Sequence, residues 1–530
     1  MPKSKNPILF ILLWSTILAA LLINLDISKV WWDEGWTLDV ARNWVENDHF
    51  GHYLNGEEIP PRIPVRFPVV LPIALSFKLF GVGIWQGRLP GAIFTIVTML
   101  LLFYLATQLY NKRIAYANIL ILSLMSLPEL NPLFIGRQVL AEMPMLFYLL
   151  GGYFFFWLAL TKSTSHIFPA SILWGISLIS KFQVLPFWLV SVGLMLLFSI
   201  LLNNWRVVTL LVFAFIGTII VAVSISQIQT LIMPSSFEDK PVWDLLINSI
   251  IFVFDWPVRL RAITLIVAIG IPSILGFTHA FNQILTFVHH ENRVNRANKF
   301  EQTTPLQGKF QSTTDMVFFR QTMIIGLWGL SVSWFGWYVL LGMSWPRYLF
   351  PAYFLGSIFV AVFLDSATNG FNLSSTILNA SSIILKKQIS KQTGYAMAAV
   401  LTIGVSLVLT FYQFYYSLNT RRYSFEPIVE YITNNIADEK MIETFESELF
   451  FVAPHKYHFP SDYVSMELIR RKEIDPTQTI SYDPLKSDTD YLIIGDYESM
   501  WKLYSEILDN GSFSLIAAFE PFQIYQRIRN

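Results

Sequence analysis

Long apolar stretches alternate with short polar segments along most of the first 416 residues. A helix that crosses a bilayer needs about 20 mainly apolar residues, with a lower limit near 17. Eleven stretches meet or approach this length, and one of them, 167–181, is short. They are residues 8–25, 89–109, 114–130, 139–160, 167–181, 184–202, 206–233, 258–288, 319–342, 347–365 and 393–416. The pattern predicts a polytopic α-helical membrane protein with about 11 spans, in a range of 11–13.

The apolar stretch 66–80 is better explained as a helix lying along the membrane surface than as a crossing. It is short and contains Pro68 and Pro72. Without this crossing, the basic loops near residues 111–113, 293–299 and 386–391 all face the cytoplasm, as the positive-inside rule requires. The prediction is an integral protein of the cytoplasmic (plasma) membrane, with its N-terminus inside and interfacial helices in the first outer loop.

The last 114 residues have a different pattern, typical of a soluble domain. Residues 417–530 contain eleven basic and nineteen acidic side chains, a net charge of −8. "FEPIVEYITNNI" and "YESMWKLYSEIL" have helical periodicity, whereas "YLIIGD", "FSLIAAF" and "FQIYQRI" resemble strands. We therefore divide the chain into a transmembrane catalytic domain, 1–416, and a small extracytoplasmic α/β domain, 417–530.

Composition agrees with a membrane protein and narrows the possible chemistry. The chain is 54% hydrophobic and only 14% charged, whereas soluble proteins carry roughly a quarter charged residues. Its net charge is zero, which gives no reason to expect a nucleic-acid partner. It has no cysteine, so disulfides, thiol nucleophiles and Cys-ligated metals are excluded.

Two adjacent carboxylates, Asp33 and Glu34, follow the first span within "KVWWDEGWTLDVARNW". One interpretation is structural: Asp33 would cap an interfacial helix whose apolar stripe is Trp36, Val40 and Trp44. The other interpretation is functional, because the same predicted face carries further charged residues. They are Arg66, Arg88, Arg137, Glu142 and Arg347.

Carboxylates beside arginines at a bilayer surface suit one kind of chemistry. A carboxylate can take a proton from a hydroxyl as general base. An arginine can hold a phosphate with two hydrogen bonds and stabilise it as a leaving group. The phosphate most simply found at a membrane surface belongs to a lipid. This combination predicts glycosyl transfer from a polyprenyl-phosphate sugar.

The motifs also resemble a known family. "WWDEGW" resembles the first-loop Asp-Glu motif of the GT-C membrane glycosyltransferases, in particular their protein O-mannosyltransferase and lipid A aminoarabinose transferase branch. "RFPVVLP", "LFG" and "GRLPG" resemble a conserved run of that branch, "GRQVLAEMP" its second-loop motif, "GISLISKFQVLP" a helix, and "RYLFP" a late motif. The motifs occur in the family's order over most of residues 1–365.

The resemblance implies roles for individual residues. Asp33 would be the catalytic base, and Glu142 the second acidic residue of the site. Arg66 stands where the family usually has a phosphate-binding lysine, although only one proline of the usual pair follows it. Lys181 matches a family lysine, but a position at the membrane interface explains it equally well. Glu34 is either catalytic or orients the neighbouring helix.

The expected reaction is therefore an inverting transfer from a polyprenyl-phosphate sugar donor to a lipid, glycan or protein acceptor. We expect Arg66, Arg137, Arg347, Arg88 and Lys181 to contact substrate, and no cofactor to be needed. Two alternatives stay open. One is a secondary transporter, which would bind its substrate near the bilayer midplane. The other is a metal-dependent oligosaccharyltransferase-type enzyme, in which a divalent cation would need several oxygen ligands.

Overall fold

The computed structural model describes residues 7–26, 29–61, 65–233, 247–300, 310–369 and 424–529 except 478, 479 and 481, with five positions between 408 and 415. The predicted span 393–416 therefore lies almost wholly outside the described residues.

Within these residues, seven helices are long and apolar enough to cross a membrane, and the protein is an integral membrane protein. They are Ile84–Leu109, Glu142–Thr161, Phe182–Leu201, Trp205–Ile232, Trp256–His290, Asp315–Leu340 and Pro346–Ala367. Each coincides with a predicted span. The least buried, Trp205–Ile232, exposes apolar side chains such as Phe213, Ile220 and Leu231, as expected of a helix surrounded by lipid.

Three other predicted spans fall on shorter helices. They are Pro7–Leu22, with 16 residues, Lys112–Ser123, with 12, and Ile167–Ser180, with 14. The prediction of one continuous span over 114–130 is wrong, because the helix ends at Ser123 and a 3-10 turn, Pro128–Leu130, follows. Pro128 and Pro132 both lack the N–H that a continuing helix would need.

Residues 66–80 form an apolar helix of 14 residues, Phe67–Phe80. At 1.5 Å per residue such a helix is about 21 Å long, short of the roughly 30 Å hydrocarbon core. Its length suits the predicted surface location, and its side of the membrane stays a prediction.

A seven-stranded mixed sheet lies beside the bundle, in the order β2-β1-β4-β3-β5-β7-β6. Its strands are β1 His52–Leu54, β2 Glu57–Ile59, β3 Ile442–Thr444, β4 Tyr457–His458, β5 Tyr491–Ile494, β6 Phe513–Phe519 and β7 Phe522–Arg527. The three predicted strands are β5, β6 and β7, so these are confirmed.

Short helices pack around this sheet. They are Glu426–Asn435, Glu448–Val452, Asp462–Ile469, Asp496–Trp501 and Ser505–Asp509. The first confirms the helix predicted from "FEPIVEYITNNI". The helix predicted from "YESMWKLYSEIL" is instead two short helices, because Lys502 between them adopts a left-handed conformation with φ 57°.

The first loop after residue 29 is built into the same unit as the C-terminal region. Strand β1 pairs in parallel with β4, and β2 pairs with β1. The helix Trp32–Glu46 packs there too: Trp36 is fully buried against Phe450 and Phe459, with ring centroids 5.0 and 4.7 Å away. Trp36 of the predicted apolar stripe therefore faces the C-terminal domain. The boundary predicted at residue 416 stays a prediction.

Candidate active site

A cavity of about 860 Å³ lies between the helical bundle and the C-terminal domain. Its walls come from the segments that the sequence places on one face of the membrane, including the start of helix Trp32–Glu46, residues 128–142, residues 180–187 and residues 345–348. Most of the wall is aromatic or aliphatic, and the polar groups are few. This is the usual composition of a small-molecule site.

Four charged side chains form one network at this cavity. Arg347 Nη1 donates to Asp33 Oδ2 at 2.5 Å, and Arg347 Nε lies 3.6 Å from Glu142 Oε1. Lys181 Nζ donates to the same Glu142 oxygen at 2.6 Å. Asp33 and Arg347 are 314 positions apart in sequence. The network contains two carboxylates and two cations, so its charges balance.

Local geometry explains why the side chain of Asp33 is available to the cavity. Asp33 is the second residue of helix Trp32–Glu46. The N-cap position is occupied by Trp31, whose backbone N–H donates to Glu34 Oε2 at 2.6 Å. The structural alternative in which Asp33 caps this helix is therefore wrong, because Glu34 does so.

Glu34 and Arg88 form a buried pair behind the cavity and are absent from its described wall. Both side chains are fully buried. Arg88 donates from Nε and Nη2 to the two oxygens of Glu34 at 2.9 and 2.8 Å, and Val139 N donates to Glu34 Oε1 at 2.8 Å. This bidentate pair joins helix Ile84–Leu109 to two segments that line the cavity, the one around Asp33 and the one around Val139. Its geometry indicates a role in positioning rather than contact with substrate.

Arg66 and Arg137 both line the cavity but differ in their partners. Arg137 donates to Ala20 O at 3.1 Å and Asn24 O at 2.6 Å, so it caps the C-terminal end of helix Pro7–Leu22. Burial, with the nearby charge of Arg88, lowers the pKa of Arg137 to about 10. Arg66 makes no side-chain hydrogen bond or ion pair with any residue that the structure describes, and burial lowers the pKa of its guanidinium.

The C-terminal domain supplies a wall that the sequence did not predict. It consists of Phe445, Asp462, Ser465, Met466, Ile469, Lys472, Glu473, Tyr497, Met500 and Trp501. These positions are far from the predicted motifs, and nothing in their spacing marks them. Tyr348, next to Arg347 in "RYLFP", could have been found: its ring lies 5.8 Å from the Arg347 guanidinium carbon.

In the described part of the chain, no group of three or more His, Asp or Glu side chains is arranged to hold a metal ion. His49 and His52, the histidines nearest the acidic motif, face Glu58 and Asp39 at 3.4 and 2.7 Å. Two of the cavity carboxylates, Asp33 and Glu142, are engaged by Arg347 and Lys181. These residues do not fit the oxygen-rich ligand set of a divalent cation.

Comparison with known proteins agrees with this architecture. Residues 68–225 match the family model of the dolichyl-phosphate-mannose-protein mannosyltransferases. The crystal structure of ArnT from Cupriavidus metallidurans bound to undecaprenyl phosphate superposes with a TM-score of 0.61 at 13% identity, covering 99% of both chains. The chain has the GT-C glycosyltransferase fold. The resemblance found in the sequence is confirmed at this level.

Two further solved structures share this fold. The apo oligosaccharyltransferase of Archaeoglobus fulgidus matches with a TM-score of 0.57 at 12% identity, over 93% of this chain and 70% of that one. The apo form of ArnT gives the same TM-score, at 14% identity over 99% of each chain. A comparison with curated protein sequences finds no significant match. At these identities the structures establish the fold of this chain, not its substrate.

Proposed function

We propose that this chain is an inverting glycosyltransferase, which moves a sugar from a polyprenyl-phosphate donor to an acceptor hydroxyl at the outer membrane face. The observation that carries the proposal is the cavity in which Asp33 lies beside Arg347, while Arg66 lines the same cavity without an acidic partner among the described residues. The match to a mannosyltransferase family model and to ArnT with bound undecaprenyl phosphate supports the donor class.

The chemistry is a single displacement. The acceptor oxygen attacks the anomeric carbon, and Asp33 takes the hydroxyl proton as general base. The bond from the anomeric carbon to the phosphate oxygen breaks, and its electron pair stays on the departing polyprenyl phosphate. Attack opposite to the leaving group inverts the anomeric centre.

The cations stabilise the leaving phosphate, whose negative charge grows as the bond breaks. Arg66 is half-buried, and an anion bound beside it would offset the cost of removing its charge from water. Arg347, which already contacts Asp33 and Glu142, would also contact the phosphate of a bound donor. Lys181 holds Glu142 in place at 2.6 Å. Charges already in position before the reaction need no reorganisation when the phosphate leaves.

A transfer assay tests the proposal. Purified protein is incubated with a panel of polyprenyl-phosphate monosaccharides carrying a radiolabelled sugar, with native membranes as the acceptor pool. We expect the label to move to an acceptor with one polyprenyl phosphate released for each sugar transferred. Intact donor after incubation with every member of the panel, or donor moved across a vesicle bilayer without being consumed, would contradict the proposal. The second result would identify a transporter.

A further inference from the structure

The segment before Asp33 is held by one loop of the C-terminal domain, residues 445–448, which we call the buttress loop. It follows β3, a central strand of the sheet. Trp32 Nε1 donates to Phe445 O at 3.0 Å, and Ser447 Oγ donates to Trp32 O at 2.6 Å. The two contacts join residues more than 400 positions apart in sequence.

The hydrogen bond from Ser447 acts directly on the peptide group that leads into Asp33. The carbonyl of Trp32 and the N–H of Asp33 belong to the same planar unit. Fixing that oxygen therefore fixes the plane from which the Asp33 side chain starts. Ser447 is fully buried, so water does not replace its hydroxyl.

A second contact sets how closely the helix of Asp33 approaches the buttress loop. A Cβ atom on Gly35 would lie 2.5 Å from Ser447 C and 2.6 Å from Glu448 N. Real Cβ atoms do not approach backbone this closely. Only glycine permits the helix to rest against the loop at this distance.

The buttress loop is itself held rigidly. The Glu446 carboxylate accepts from three backbone N–H groups, those of Gly495, Tyr497 and Glu498, at 3.0, 3.2 and 2.8 Å. The N–H of Glu446 donates to Thr444 Oγ1 at 3.1 Å, which in turn donates to Ile493 O at 2.9 Å. The loop is thus tied to the neighbouring strand β5 and to the turn that follows it.

We propose that the buttress loop positions Asp33 for catalysis, with Ser447 and Gly35 as positioning residues and Glu446 as the anchor of the loop. The proposal rests on the proposed role of Asp33 as general base. The outer domain thereby takes part in the reaction without contributing the reacting group. A displacement of about 1 Å at a reacting group can lower a rate by around 100-fold.

The test compares Ser447→Ala with Ser487→Ala in the transfer assay. Ser487 belongs to the same domain and also donates to a backbone carbonyl, that of Pro484 at 2.7 Å. We expect Ser447→Ala to lower kcat by about 10- to 100-fold. Its KM for the polyprenyl-phosphate sugar should stay close to that of Ser487→Ala, and both rates are compared at equal amounts of folded protein. Gly35→Ala should lower kcat further.

A double-mutant cycle separates this inference from the proposed function. In the Asp33→Asn background, Ser447→Ala should change kcat by less than about threefold, because a positioning residue has no base left to position. An equal loss in both backgrounds, a wild-type kcat, or a loss that matches a loss of folded protein would overturn the buttress role. A wild-type rate for Asp33→Asn alone would instead overturn the proposed role of Asp33.

Discussion

Arg66 and Arg137 line the same cavity, and their hydrogen-bond partners indicate which of them is available to bind a ligand. The Arg137 guanidinium donates hydrogen bonds to backbone carbonyls at the end of helix Pro7–Leu22. Removing this side chain would leave those carbonyls without a donor. Within the described part of the chain, the Arg66 guanidinium has no hydrogen bond or ion pair, and burial lowers its pKa. A half-buried cation without a counter-charge loses hydration free energy, and an anion bound beside it would offset that loss. Arg66 is therefore the stronger candidate for contact with phosphate.

Substitution of Arg66 should affect donor binding rather than folding. We expect Arg66→Ala to weaken binding of undecaprenyl phosphate by at least about tenfold, the range for loss of a charge-assisted hydrogen bond. Arg66→Lys should restore part of the affinity, because it keeps the charge and loses the fork. Quenching of tryptophan fluorescence by titrated lipid measures the affinity. Arg137→Ala is the contrasting variant and should lower the unfolding midpoint. Unchanged affinity in a folded Arg66→Ala protein would contradict the phosphate role.

Among the structural elements, the buttress loop carries an unusual pair of acids. Burial raises the pKa of Glu446. Burial and the neighbouring charge of Glu446 raise the pKa of Glu448 well above its usual value. A carboxyl group with a raised folded-state pKa holds its proton more tightly in the folded protein. Its contribution to stability is complete below the unfolded pKa, near 4.3, and is lost as pH rises through the folded pKa.

The variant Glu448→Gln should remove this pH dependence, since the amide resembles the protonated acid and does not ionise. The unfolding midpoint of Glu448→Gln minus that of wild type should be larger at pH 8 than at pH 5, because only the wild type loses stability as pH rises. One unit of pKa shift corresponds to about 1.4 kcal/mol, which sets the scale of the effect. Thermal unfolding at the two pH values measures it, with the exposed Glu439→Gln as control. An equal difference from wild type at both pH values would refute the assignment.

Whether helix Phe67–Phe80 crosses the membrane determines which side of the membrane each later loop faces. If it lies on the outer surface, the loop at Asn111 is cytoplasmic and the C-terminal domain is outside. A topology reporter inserted after Asn111 should therefore be active only in its cytoplasmic form, and one fused to the C-terminus only in its external form. Both reporters on the same side of the membrane would show that the predicted topology is wrong.

For the whole molecule, the sequence was informative where structure is local. Hydropathy located each of the seven long helices, because a span is defined by its own residues. Strands β1 to β4 were missed, because each has only two or three residues, too few to show alternation. The parallel partner of β1, strand β4, is also some 400 residues away. The sequence predicted that Asp33 and Arg347 lie close together, but not that they form an ion pair.

The remaining parts of the site depend on tertiary contacts that no spacing reveals. Glu34 and Asp33 are adjacent and chemically alike, yet one is fully buried against Arg88 and the other lines the cavity. The side chains that the C-terminal domain adds to the cavity wall, such as Lys472 and Trp501, belong to a region without recognisable motifs. Residue type suggested the chemistry, and only the fold assigns each carboxylate its surroundings.

The central claim is that Asp33 is the base of the transfer reaction, and one substitution tests it most directly. Asp33→Asn keeps the size and hydrogen-bonding capacity of the side chain and removes its basicity. Turnover of the polyprenyl-phosphate sugar by purified, folded Asp33→Asn protein should fall by about 10²- to 10⁴-fold, the usual contribution of a general base. Its binding of undecaprenyl phosphate should persist. Turnover close to that of the wild type, at equal amounts of folded protein, would contradict the account.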